Sequence, residues 1–129
     1  MKITFPGKKK VDASYDNFLI PSDQPIEDGG TGEAPSPFKL FIASIATCSG
    51  YYASQFVQRR NLPLEELEMD LSYTYNEETH MIDTITINMT LPKEFPPKYR
   101  KAIVKSIAQC AVKRHMKDCI NFEVVTNLD

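Results

Sequence analysis

Residues 36–60 read Ser36-Pro37-Phe38-Lys39-Leu40-Phe41-Ile42-Ala43-Ser44-Ile45-Ala46-Thr47-Cys48-Ser49-Gly50-Tyr51-Tyr52-Ala53-Ser54-Gln55-Phe56-Val57-Gln58-Arg59-Arg60. Ser36 is placed to cap a helix, and Pro37 suits its first position, where a missing amide costs nothing. Asn61 and Pro63 supply the stop near Arg60. Phe41, Ile45, Cys48, Tyr52 and Phe56 recur at steps of three or four and predict an apolar stripe that carries Cys48. Leu40, Ile42, Ala43, Ala46 and Val57 leave little polar face, and the small residues of 43–50 let another backbone approach closely. The stretch therefore predicts a central helix, buried on most sides. Lys39, Ser44, Thr47, Ser49, Ser54 and Gln55 make it too polar for a membrane span.

Working outward, residues 10–15 alternate in part and 17–20 form a short apolar run stopped by Pro21, which predicts a small N-terminal sheet of two or three strands. Between Pro21 and Pro37, prolines and the Gly29-Gly30-Thr31-Gly32 cluster predict a long, flexible surface loop. Downstream, Met69, Leu71, Tyr73 and Tyr75, then Ile85, Ile87, Met89 and Leu91, alternate as two strands joined by the polar turn 76–80. Pro96-Pro97 opens a second long helix to about Lys117, with Ile103, Ile107, Cys110 and Arg114 on one line. Residues 122–126 predict a last strand. The order is that of an α+β fold with antiparallel sheet segments and two long helices, the cysteine-bearing one central. The length of 129 residues suits a single domain, 1–129.

Fifteen basic against seventeen acidic residues give a formal charge of -2, so no general field gathers nucleic acid or an anionic membrane. The residues before Lys8 form no apolar signal segment, which leads to the expectation of a cytoplasmic protein with reduced thiols. Three cysteines, Cys48, Cys110 and Cys119, are an odd number at wide spacing and argue against a disulfide framework.

The glycine cluster lacks the Gly-x-x-x-x-Gly-Lys-Ser/Thr pattern, and Pro35 and Pro37 remove amide donors, so a phosphate loop is not expected. On a continuous helix Cys110 stands about 140° from His115 and about 180° from Cys119, so the three cannot meet on one metal ion. No metal and no cofactor are expected. Two histidines, His80 in a turn and His115 near a helix end, give no support for a hydrolase triad. What remains is Cys48 and Cys110, each on the apolar stripe of its own helix. Pattern alone leaves two readings for them: two small buried apolar thiols, or a pair that exchanges between dithiol and disulfide if the helices pack face to face.

The run 23–30, then Ala34-Pro35-Ser36-Pro37-Phe38-Lys39-Leu40-Phe41-Ile42-Ala43-Ser44-Ile45-Ala46-Thr47-Cys48, resembles the OsmC/Ohr family, the osmotically inducible and organic hydroperoxide resistance proteins. Residues 107–113 followed by Phe122-Glu123-Val124 resemble that family's second cysteine segment. The resemblance spans essentially the whole chain and implies an intertwined homodimer with sites at the subunit interface. It further implies that Cys48 is the peroxidatic and Cys110 the resolving cysteine of an organic hydroperoxide reductase. A dithiol, lipoyl groups in some relatives, would be the reductant. The alternative is a non-peroxidatic member of the same fold that binds a small apolar or thiol-reactive molecule and uses its cysteines as redox sensors. Phe38, Phe41, Tyr51, Tyr52 and Phe56 offer an apolar lining for an organic substrate.

The chain departs from the family where the thiolate is activated. The resemblance calls for an N-terminal arginine paired to a glutamate near the start of the central helix. Here no arginine precedes Arg59, and Phe38 and Lys39 stand where the glutamate is expected. Glu33 is the nearest carboxylate. Cys48 lies too deep in its helix for that helix's N-terminus to lower its pKa, so a cation is expected to do so. Lys8, Lys9, Lys10 and a partner subunit's Arg59 are candidates, while Arg114, one turn after Cys110, is placed to favour that second thiolate.

Overall fold

A computed structural model of the chain describes residues 1–117 together with Phe122 and Glu123. The chain divides into two compact units, Met1–Ser44 and Ile45–Asp129. The first begins with three strands, β1 (Lys2–Gly7), β2 (Lys10–Tyr15) and β3 (Phe18–Ser22), in an antiparallel sheet of that order. Both hairpin turns use left-handed residues, Lys8 at φ 52 and Asp16 at φ 49. The sheet encloses little apolar surface: Phe5, Phe18 and Leu19 are exposed, at 78%, 64% and 62%.

The segment from Pro21 to Pro37 is not the flexible connection that its composition suggests. It is wound around the fully buried carboxylate of Asp23, which accepts hydrogen bonds from the Thr31 hydroxyl at 2.5 Å, the Gln24 amide at 2.7 Å, and the Thr31 and Glu33 amides, each at 3.3 Å. The glycines make this winding possible. A Cβ at Gly30 would lie 1.8 Å from the Gln24 carbonyl oxygen, and Gly32 sits at φ 66 while its amide donates to that same carbonyl at 3.1 Å. Glu33 closes the loop against β2 through an ion pair with Lys10 at 2.5 Å.

Helix α1 (Pro37–Gln58) starts as its sequence indicates, with the Ser36 hydroxyl accepting from the Lys39 amide at 3.3 Å. It ends two residues earlier than expected, at a left-handed Asn61 (φ 53), with the Leu62 amide returning to the Val57 carbonyl at 3.0 Å. Its buried residues are Ile42, Ile45, Ser49, Ala53, Phe56 and Val57, one stripe, while Phe38, Phe41 and Tyr51 are exposed. Ile42 and Val57, read on the second apolar side, are thus buried, whereas Phe41, read on the Cys48 stripe, is exposed, so within one chain the helix is not covered on most sides.

In the second unit, β4 (Glu68–Tyr75) and β5 (Ile82–Thr90) form an antiparallel hairpin that pairs Met69 with Met89, Leu71 with Ile87 and Tyr73 with Ile85 on one half-buried face. Asn76 holds its turn by accepting from the Glu78 and Thr79 amides at 2.9 and 3.0 Å. Ala53, Phe56 and Val57 of α1 pack with Phe95, Ile103 and Ile107 as the core.

The second long helix is interrupted. It consists of α2 (Arg100–Ile107) and α3 (Ala111–His115), separated by 108–110. The end of α2 tightens, with the Gln109 and Cys110 amides donating three residues back to Ser106 and Ile107, and Cys110 then turns non-helical at φ -47, ψ 122. No proline or glycine marks the break, and it keeps Cys110 fully buried. Of the last strand expected over 122–126, all but Phe122 and Glu123 lies outside the described residues, as does Cys119.

The hydrogen bonds to Asp23, the Thr31 hydroxyl foremost, lower its carboxyl from the ordinary 3.8 to about 2. A depressed folded-state pKa stabilises the fold fully above about pH 4, and this contribution is lost as pH falls through about 2. Asp23→Asn is expected to lower the melting temperature by about 4 to 8 °C at neutral pH, with the gap to wild type closing toward pH 2, as read by thermal melts across pH.

Candidate active site

Both cysteines suggested by the sequence fall in the second unit, and the broken helix decides their relation. Cys48 is half-buried on α1, one turn after the fully buried Ile45. Next to it Ser49 is also fully buried, its hydroxyl donating to the Ile45 carbonyl at 2.7 Å. Cys110 has no exposed surface and occupies the position that caps α3. The first intrahelical bond of α3 runs from the Arg114 amide to the Cys110 carbonyl at 3.0 Å, so the amides of Ala111 and Val112 have no acceptor within their own helix.

They find one in Cys48. The Val112 amide, donating to the sulfur, is the main cause that lowers the Cys48 pKa from the usual cysteine value. Partial burial opposes it; hydrogen bonds from the Cys110 thiol and the Ala111 amide, and the charge of Lys113, add to it. The expected cation is present as Lys113, which was not among the candidates named from the sequence, but backbone amides act beside it and the Val112 amide is the larger cause. The helix whose N-terminus matters is α3, not α1, and it exists because the chain breaks at 108–110.

Beside this centre lies a cleft of about 540 Å³ whose wall includes Ile45, Ile85, Ile87, Met89, Ile107 and Lys113. Its apolar lining is aliphatic. Tyr52 and Phe56 instead border a second groove between α1 and α2, together with Tyr51, Arg59, Arg60 and Lys105. Phe56 lies eight residues beyond Cys48, about 12 Å along the helix axis, and its ring packs beneath the Arg60 guanidinium, 3.7 Å from the centroid. The Ser106 hydroxyl, donating to the Tyr52 carbonyl at 3.4 Å, joins the two helices there. Phe38 and Phe41 stack against each other at 5.8 Å on the first turns of α1 and are largely exposed.

The supporting residues named from the sequence are placed as follows. Glu33 is engaged by Lys10, whose ammonium is the main cause of its lowered pKa. Arg114 is exposed and meets Cys110 through its backbone amide. His115 bonds the Ala111 carbonyl through Nδ1 at 2.7 Å. Among the described residues, no three His, Cys, Asp or Glu side chains are placed to hold a metal ion. Sequence reasoning missed Val112, Ala111 and Lys113. Their one visible signal was the position of 111–113 directly after Cys110, which a continuous helix would have turned into ordinary helix interior.

Val112 lies in the first turn of α3, where proline removes an amide but no intrahelical bond. Val112→Pro is therefore expected to slow iodoacetamide alkylation of Cys48 about tenfold at neutral pH and to leave its rate at pH 10 unchanged, as measured by peptide mass spectrometry.

A family model for OsmC-like proteins matches residues 30–125. Three solved structures share the fold. A Psychrobacter arcticus protein described in terms of osmotic stress induction and detoxification response aligns with a TM-score of 0.74 and 22% identity, over 88% of this chain and 85% of that one. An OsmC-like protein from Mycoplasma pneumoniae gives 0.66 and 14%, over 84% and 79%. An organic hydroperoxide resistance protein OsmC from Legionella pneumophila, described as a predicted redox protein and regulator of sulfide bond formation, gives 0.54 and 19%, over 90% and 86%. Among curated proteins none matches significantly. With the α+β architecture, the antiparallel sheets and a family match over most of its length, the chain belongs to the OsmC-like protein family.

Proposed function

We propose that the protein is a thiol-dependent peroxidase for organic hydroperoxides, with Cys48 as nucleophile and Cys110 as resolving cysteine. The observation that carries this reading is the Cys48 sulfur, which receives the Val112 and Ala111 amides and the Cys110 thiol and whose pKa is lowered as a result. A thiol that is merely packed in a core has no such donors, and burial alone raises its pKa.

The thiolate attacks the terminal oxygen of the hydroperoxide; the O–O bond breaks, the alkoxide leaves and takes a proton as the alcohol, and Cys48 becomes a sulfenic acid. Cys110 already donates to Cys48 and is shielded from solvent. Its thiolate displaces hydroxide from the sulfenic sulfur, which departs as water, and a Cys48–Cys110 disulfide forms. A dithiol, such as a lipoyl group, restores both thiols by exchange and leaves as the oxidised disulfide. The aliphatic cleft beside Ile45 favours a substrate with an apolar body over hydrogen peroxide.

The active form in this reading is a homodimer in the cytoplasm. Phe5, Phe18 and Leu19 of the first sheet, and separately Phe38, Phe41 and Tyr51 of α1, are exposed in one chain, apolar groups that a second copy would cover. No described helix is long and apolar enough to cross a membrane. The same cleft also supports a second reading, in which the protein binds a small apolar molecule and its cysteines only sense oxidants.

Intact mass with thiol trapping, after reduced protein meets one equivalent of cumene hydroperoxide, separates the two readings. The expected result is rapid loss of two thiols as a Cys48–Cys110 disulfide, no reaction in Cys48→Ser, and a single added oxygen on Cys48 in Cys110→Ser. Thiols that stay free over minutes contradict the peroxidase reading. Light scattering after size exclusion is expected to give twice the chain mass, and a monomer would contradict the dimer.

A further inference from the structure

Lys113 reaches the site through the same break that frees the α3 amides. It follows Val112, whose amide donates to Cys48, in the first turn of α3. The side chain is half-buried and lines the aliphatic cleft together with Ile45, one turn before Cys48 on α1. Among the described residues it is the one charged side chain in that wall; β5 and α2 present Ile85, Ile87, Met89, Val104 and Ile107. A cation held against an apolar wall is screened less by water than one on an open surface, so its field reaches a neighbouring sulfur at more of its strength. Arg114, by contrast, is exposed and contacts Cys110 through its backbone.

We propose that Lys113, held in the cleft wall beside the Cys48 turn of α1, is a positioning residue that adds to the α3 amides in favouring the Cys48 thiolate. Among the described residues, the Cys110 thiol and the Lys113 charge both favour the Cys48 thiolate. The amides of Val112 and Ala111 hold the charge in place, and Lys113 adds a full positive charge. This inference rests on Cys48 being the reactive thiol, but not on which molecule it attacks.

The test uses two alkylating probes of nearly equal size, neutral iodoacetamide and anionic iodoacetate, on the full chain with Cys48 followed by peptide mass spectrometry. Lys113→Met, which keeps the apolar stem, is expected to slow iodoacetamide about three- to tenfold at pH 7 with the rate at pH 10 unchanged, because only the thiolate reacts. It is also expected to lower the iodoacetate-to-iodoacetamide rate ratio, which reads the local charge directly. Lys113→Gln should show the same change and Lys113→Arg should restore both readouts. A pH profile and probe ratio equal to wild type in Lys113→Met overturn the proposal, as does an equal slowing of Lys113→Met and Lys113→Arg with the ratio unchanged. If the lysine dependence appears while cumene hydroperoxide leaves the thiols free, the peroxidase reading fails and the role of Lys113 stands.

Discussion

The hydrogen bond from the Val112 amide to the Cys48 sulfur is the contact on which the rest of the site depends. A cysteine in the middle of an apolar helix faces two opposing effects: burial, which raises its pKa, and whatever partners the fold can bring to it. Here the partners come from a second helix interrupted at 108–110. Had that helix continued, the Ala111 and Val112 amides would have donated to carbonyls four residues back, and Cys110 would have sat in helix interior. The interruption gives up a few intrahelical bonds and brings two amides and a buried thiol to one sulfur, with the charge of Lys113 nearby.

The chemistry this arrangement supports follows from its polarity. Amide donors and a cation stabilise charge on Cys48, while Cys110 stays fully buried as a donor to it. That division suits an attacking thiolate and a reserve thiol that waits until the first has reacted. The aliphatic wall formed by β5 and α2 bounds the cleft next to them, so water has few partners there and an apolar substrate many. A different kind of order holds the first unit, where the buried Asp23 carboxylate winds residues 24–33 by hydrogen bonds and so does with polar contacts what a small sheet cannot do with an apolar core.

Much of this was legible in the chain. The Ser36-Pro37 start of α1 and the alternation that makes the β4–β5 hairpin rest on local pattern, and the structure has them. The helix break was not legible, since Ala108 and Gln109 are ordinary helix formers and tertiary context overrode their preference. Periodicity likewise assigns a residue to a face but not to the cavity which that face meets, and Tyr52 and Phe56 border the groove against α2. Gly30 was misread as flexibility because its role, clearance from the Gln24 carbonyl, is a contact that composition does not reveal.

The central claim, that the α3 amides make Cys48 more acidic than a free cysteine, is tested most directly by a pH titration of the Cys48 Cβ resonance in protein labelled at cysteine. The account predicts a midpoint below the ordinary cysteine value of about 8.5. A midpoint at or above that value would contradict it.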